Sequence, residues 1–168
     1  MDPLIKHYDD NPTYASISWH DIIGAMKYFN INPLRYFRVL DLGCGDGRFG
    51  NNFQQCFDSS VTGMDYSKVR IDIAKQRYPN CTFIYGDIFD INETLVYYRY
   101  NLIIMFEVLE HLEKPEQFWK TLVPPALASV PKNMPYIAHR HVYKTKEDLA
   151  GFDCEILETD NNFFLWSE

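Results

Sequence analysis

No Cys-x-x-Cys pair occurs anywhere in this 168-residue chain. Its four cysteines, Cys44, Cys56, Cys81 and Cys154, fall mostly in segments that read as helix or strand. That spacing excludes a zinc knuckle and points to free thiols in a reducing, cytoplasmic setting. No apolar run approaches the length of a membrane span, and the first ten residues lack the basic and apolar regions of a secretory leader. Positive charge is scarce, with 16 basic against 23 acidic residues and a net charge of −7. No Lys/Arg cluster tracks a phosphate backbone, so a nucleic-acid partner is not favoured. Lys68, Arg70, Lys75 and Arg77 share one helix-like segment and read as its solvated side. Internal repeats and low-complexity stretches are absent too.

Hydrophobic residues make up 46% of the chain and aromatics 16%, which suits an ordered globule with an aromatic core. The length fits a single domain over residues 1–168, with 1–35 as an amino-terminal arm and helix. Such a domain buries about 70% of its unfolded surface.

The most informative stretch runs from Val39 to Phe49, where a buried strand breaks into Gly43, Gly45 and Gly47. Glycine tolerates positive φ and has no Cβ, so a turn of this kind brings backbone amides close to a ligand and starts the next helix against the strand. A dinucleotide fingerprint would need glycine at position 48, where Arg48 stands, and this counts against NAD or FAD. Further acids follow at later strand ends: Asp65 after residues 60–64, about 20 residues past the glycines where such folds set a carboxylate on ribose hydroxyls, and Asp87 after residues 81–86. A fourth apolar strand, residues 100–106, runs into Glu107-Val108-Leu109-Glu110-His111-Leu112.

The periodicity predicts helices over residues 16–29, 48–57, 68–77 and 115–122, and strands over 37–42, 60–65, 82–85, 101–106 and 136–139. A short helix is expected before strand four. Prolines 124, 125, 131 and 135 mark a broken segment ahead of strand five, and residues 153–158 and 162–166 form a closing hairpin. Alternating strands and helices require parallel crossovers and hence a doubly wound α/β sheet, with ligands at the carboxyl ends of its strands.

These four pieces together resemble the class I, Rossmann-like, S-adenosylmethionine-dependent methyltransferases, whose first motif is a hydrophobic pair followed by D-x-G-x-G-x-G, here Asp41 to Gly47. The resemblance implies a mostly parallel seven-stranded sheet of order 3-2-1-4-5-7-6 with the last strand antiparallel. It implies S-adenosyl-L-methionine as cofactor and S-adenosyl-L-homocysteine as product. Asp41 and the turn of Gly43, Cys44, Gly45 and Gly47 would lie near the methionine moiety, Asp65 on the ribose, and Asp87 with Ile88 at the adenine. Tyr66 would flank the adenine ring, and Phe106, ending strand four, completes the cofactor set. Glu107 and His111 are the catalytic candidates. His111 either removes the acceptor's proton or packs at the helix start and orients Glu107.

A metal is the alternative rather than the expectation. Glu107, Glu110 and His111 with His139 or His141, foremost His141, resemble the metal ligands of small-RNA 3′-terminal 2′-O-methyltransferases. The paired glycines usual before strand five are replaced by residues 130–135, and no insertion beyond residues 140–151 separates strands five and six. The pocket is therefore expected to be open, suited to a small-molecule or bulky methyl acceptor or to a partner chain that completes the site. A non-catalytic cofactor-binding subunit is the remaining alternative. His7, Tyr8, Tyr14 and Trp19 are candidates for an arm over the cofactor.

Overall fold

Val39, Leu40 and Leu42 are almost wholly buried, and alternate side chains of their strand serve opposite faces of one sheet. The structure is a computed structural model that describes residues 17–91 and 99–168. Its strands are β1 (Arg38–Leu42), β2 (Ser60–Asp65), β3 (Thr82–Tyr85), β4 (Leu102–Phe106), β5 (Ala126–Pro131), β6 (Glu155–Glu158) and β7 (Asn162–Ser167). They form a seven-stranded sheet of order β3-β2-β1-β4-β5-β7-β6, as the resemblance implies. β1 pairs in parallel with β2 and β4, β5 in parallel with β4, and β7 runs antiparallel to both β5 and β6.

Helices α1 (Trp19–Tyr28), α2 (Arg48–Phe57), α3 (Lys68–Arg77) and α4 (Pro115–Trp119) surround the sheet. Ser18 caps α1 reciprocally with Asp21, which fixes its start three residues inside the expected boundary. One face of the sheet buries Leu40, Leu42, Ile103 and Met105 under Trp119 and Phe152; the other buries Val39, Ile104 and Phe106 under Phe53 and Met26. The uniformly apolar β4 is what a parallel strand covered on both faces requires. Among the described residues no helix is long and apolar enough to cross a membrane.

The structure corrects several expectations. Strand five lies at Ala126–Pro131, not at residues 136–139. Its flanking prolines interrupt nothing: the Pro125 carbonyl accepts from the Ile103 amide, and Pro131 stands at the strand's last position. Helix α4 ends at Trp119 rather than Leu122. The connection from β5 to β6 consequently covers residues 132–154, longer than expected, and includes a 3-10 segment, Lys146–Phe152. Arg70 is not on a solvated face, for it is buried. Trp19 packs edge-on against Phe53 of α2 at 5.3 Å, within the helical layer. His7, Tyr8 and Tyr14, and the segment expected to form a short helix before β4, lie outside the described residues.

Candidate functional site

The Gly43 and Cys44 amides both donate to the Met64 carbonyl, at 2.8 and 3.0 Å, which docks the glycine turn onto the end of β2. Gly43, Gly45 and Gly47 all have positive φ, and at Gly43 a Cβ would fall 2.4 Å from a Val108 methyl. Only glycine fits there. Asp65, nearly buried, accepts from the Gly45 amide through Oδ2 and from the Ser67 amide through Oδ1, each at 2.8 Å. Arg70 reaches back over the turn, its Nη1 3.2 Å from where a Gly45 Cβ would stand.

A cleft of about 280 Å³ opens at the carboxyl ends of β1, β2 and β4. Of the residues singled out in the sequence, Gly43, Asp65, Tyr66, Asp87, Ile88, Glu107 and His111 line it. Asp87 also caps the 3-10 turn Ile88–Asp90 by accepting from the Phe89 amide at 3.0 Å. The others sit behind this surface. Asp41 faces α2, its Oδ2 3.1 Å from a Cβ built on Gly50, and Cys44 points toward Gly63. Phe106 stacks edge-on with Phe49 at 5.4 Å in the core, and Gly45 and Gly47 shape the turn rather than the wall. An apolar hollow of about 330 Å³ near Leu40, Phe118 and Leu122 lacks converging acids and does not fit the same role.

Sequence reasoning missed Arg70 and Arg140 in the lining. The signal for Arg140 was absent because the β5–β6 connection was placed too late. That connection folds back so that the Arg140 and His141 amides donate to the Glu110 carbonyl at 2.8 and 3.1 Å, and Arg140 thereby reaches the cleft. The cleft is thus walled on a side expected to be bare. Asp46 was also missed. Buried behind the turn, it pairs with Arg77 at 2.6 Å and Arg48 at 3.4 Å.

Electrostatics separates the acids. Burial pushes Asp41 up to about 7, and the neighbouring charge of Asp65 adds to the shift while the Gly50 amide opposes it. Burial, then Asp41 and Asp65, raises the Cys44 thiol well above its ordinary value. Glu110 is fully buried and is raised well above the usual carboxylate range by burial and then by the charge of Glu107. His111 and His139 both turn Nε2 toward Glu110 Oε1, at 3.6 and 3.9 Å. Their Nδ1 atoms lie 2.9 Å from the Ala138 and Met134 carbonyls. Carbonyls only accept, so each Nδ1 carries hydrogen, and Nε2 is the atom that each ring turns toward Glu110. Burial lowers the His139 pKa, in keeping with a neutral ring.

Of the alternative metal ligands, only some come together among the described residues. Glu110, His111 and His139 offer ligand atoms within 4.8 Å of one another. His141 instead turns Nε2 to the Leu112 carbonyl at 3.0 Å and stacks on Tyr143. Glu107 is engaged elsewhere, its Oε1 accepting from Ser129 and Asn162.

A family model described as a methyltransferase domain matches residues 35–156. Over 87 residues the chain is 37% identical to the mitochondrial ubiquinone biosynthesis O-methyltransferase of Candida albicans, a match covering 47% of this chain and 26% of that protein. The chain therefore spans about a quarter of that relative's length. Among solved structures, a SAM-dependent methyltransferase from Aquifex aeolicus superposes with a TM-score of 0.66 at 14% identity, covering 96% of each chain. The magnesium protoporphyrin IX methyltransferase of Synechocystis PCC 6803 with bound SAH gives 0.64 at 13% identity, covering 96% of this chain and 92% of the other. At these identities the likeness shows the fold.

Proposed function

The chain belongs to the methyltransferase-domain family, and from that premise we propose that it moves a methyl group from S-adenosyl-L-methionine to a nucleophilic acceptor held in the cleft. The observation that carries this reading is the convergence of Gly43, Asp65 and Asp87 with Glu107 and His111 on one cleft. The residues fit the cofactor. Gly43 lines the cleft as bare backbone, which a ligand chain can approach closely, and Asp65, held by two backbone amides, sets its carboxylate in the same lining for the ribose hydroxyls. Asp87 and Ile88 take the adenine, with Tyr66 beside it.

When bound, the cofactor supplies a methyl carbon on a sulfonium, whose carbon–sulfur bond breaks as the acceptor's lone pair forms the new bond. The chain's own part is alignment, exclusion of water and management of charge. Glu107 faces the cleft as a fixed carboxylate, and His111 lines the same wall with Nδ1 held by the Ala138 carbonyl, so that Nε2 is the atom at which it receives the proton of a hydroxyl or amine acceptor. Arg140 bounds the acceptor side, so the acceptor is a small molecule or one exposed group of a bulkier one. Four free cysteines accord with a cytoplasmic setting.

Calorimetric titration with S-adenosylmethionine and S-adenosylhomocysteine, followed by transfer of a labelled methyl to fractionated cell extract, tests the proposal. Binding of both nucleosides and a labelled acceptor are expected. Binding without any labelled fraction would identify a cofactor-binding subunit, and absence of binding would overturn the reading.

A further inference from the structure

Three strands converge on one carboxylate. Glu107 follows β4 in the left-handed region, with φ of +61°, a conformation uncommon for a residue with a side chain. Its amide donates to the Ser129 carbonyl at 3.1 Å. From β5 the Ser129 hydroxyl donates to Glu107 Oε1 at 3.1 Å, and from β7 the Asn162 side-chain amide donates to the same oxygen at 3.0 Å. Ser129 is inaccessible to solvent and Asn162 nearly so, and the other buried side chains of these two strands are apolar. A buried hydroxyl and a buried amide in such a setting need partners, and both find theirs on this one acid. Neutral donors aimed at one oxygen suit an ionised carboxylate.

Resting on the reading of the cleft as the cofactor site, we propose that Ser129 and Asn162 are positioning residues. They hold Glu107 as a fixed negative charge on the cleft wall, and that charge makes the cleft distinguish the cationic methyl donor from its neutral product. Loss of the methyl converts a sulfonium to a thioether, so the attraction to Glu107 disappears with transfer and product exchange is favoured. Asp65, Asp87 and Glu113 share the cleft lining with Glu107, while Arg70 and Arg140 oppose them in sign. Of these acids, Glu107 is the one placed by buried side chains of β5 and β7.

The test is calorimetry on the intact chain with S-adenosylmethionine and S-adenosylhomocysteine, read as the ratio of the two dissociation constants. Glu107→Gln keeps the side chain's shape and acceptor oxygen but removes its charge, and should reduce the preference for the sulfonium by about fivefold. Ser129→Ala and Asn162→Leu should shift the ratio the same way by a smaller factor. A purely structural role would weaken both ligands together and leave the ratio alone. An unchanged ratio in Glu107→Gln overturns the proposal, as does an unchanged ratio in both folded donor variants. A wild-type chain that binds neither nucleoside fails differently, since it removes the cofactor reading itself.

Discussion

Gly45 donates its backbone amide to Asp65 Oδ2 at 2.8 Å, across 20 residues of sequence. The acid proposed for the ribose is therefore also the fastening of the glycine turn to β2. Asp65→Ala should weaken S-adenosylmethionine binding by about 1–3 kcal/mol and lower folding stability by a similar amount, since two backbone amides lose a buried acceptor. Asp65→Asn keeps acceptor capacity on one oxygen and should retain more stability than affinity. Calorimetric binding and urea unfolding on the same preparations check both. An unchanged dissociation constant in Asp65→Ala would remove the ribose assignment.

At Gly43 two penalties coincide, and they can be separated. The residue sits at φ of +71°, and an added Cβ would lie 2.4 Å from a Val108 methyl. Gly43→Ala should cost about 1–2 kcal/mol from the left-handed backbone alone, with the steric overlap in addition. Val108→Ala in the same chain removes the methyl and should return only the steric part. A double-mutant cycle measured by chemical unfolding should therefore show favourable coupling without full recovery. Strict additivity would mean that the turn relaxes away from Val108.

The elements legible in the sequence are those whose signals are local. β1, β2 and β4 read correctly because apolar runs end in glycine or acid within a few residues. β5 did not, since Ala126, Ala128 and Ser129 are small and stand among prolines; their strand state comes from pairing with β4 on one side and β7 on the other. The site divides in the same way. Gly43, Asp65 and Asp87 were found from spacing, and His139 or His141 was expected beside Glu110, whereas the choice of His139 depends on a chain reversal fixed by two amides on one carbonyl. Ser129 and Asn162 gave no signal at all, because their partner follows the end of a third strand.

Asp41 makes stability fall as pH rises through the acid range. Its pKa stands at about 7 in the fold against 3.8 for the unperturbed group, so between these values the folded chain holds more protons than the unfolded one. The slope of unfolding free energy is then negative, and the loss, complete above about pH 7, amounts to roughly 4 kcal/mol. Asp41→Asn keeps an acceptor for the Gly50 amide and carries no charge. Urea unfolding from pH 4 to pH 8 should show the variant gaining on the wild type as pH increases, with the largest advantage at the alkaline end. Parallel stability profiles for the two proteins would contradict the burial of an ionising acid at this position.

Glu110 poses the opposite question, of whether the site between two imidazoles holds a proton or a larger cation. Its pKa is raised well above the usual carboxylate range by burial and by the Glu107 charge, which favours the neutral acid in the fold, and its stability contribution is lost as pH rises through the folded value. A neutral acid is closely imitated by an amide. Glu110→Gln should therefore stay within about 1 kcal/mol of the wild type at pH 7, while Glu110→Ala opens a cavity under His111 and His139 and should cost about 2–5 kcal/mol. At higher pH the Gln variant should become the more stable of the two carboxyl-sized side chains. Were the carboxylate gripping a divalent ion with the two Nε2 atoms, Gln would fail almost as badly as Ala, and a chelator would lower the unfolding midpoint of the wild type alone. Midpoints for the three chains, with and without chelator, distinguish these outcomes. At 3.6 and 3.9 Å neither ring is within hydrogen-bond reach of Glu110 Oε1, and an Nδ1 held by a carbonyl is common to free and metal-ligating imidazoles, so the chelator comparison carries the decision.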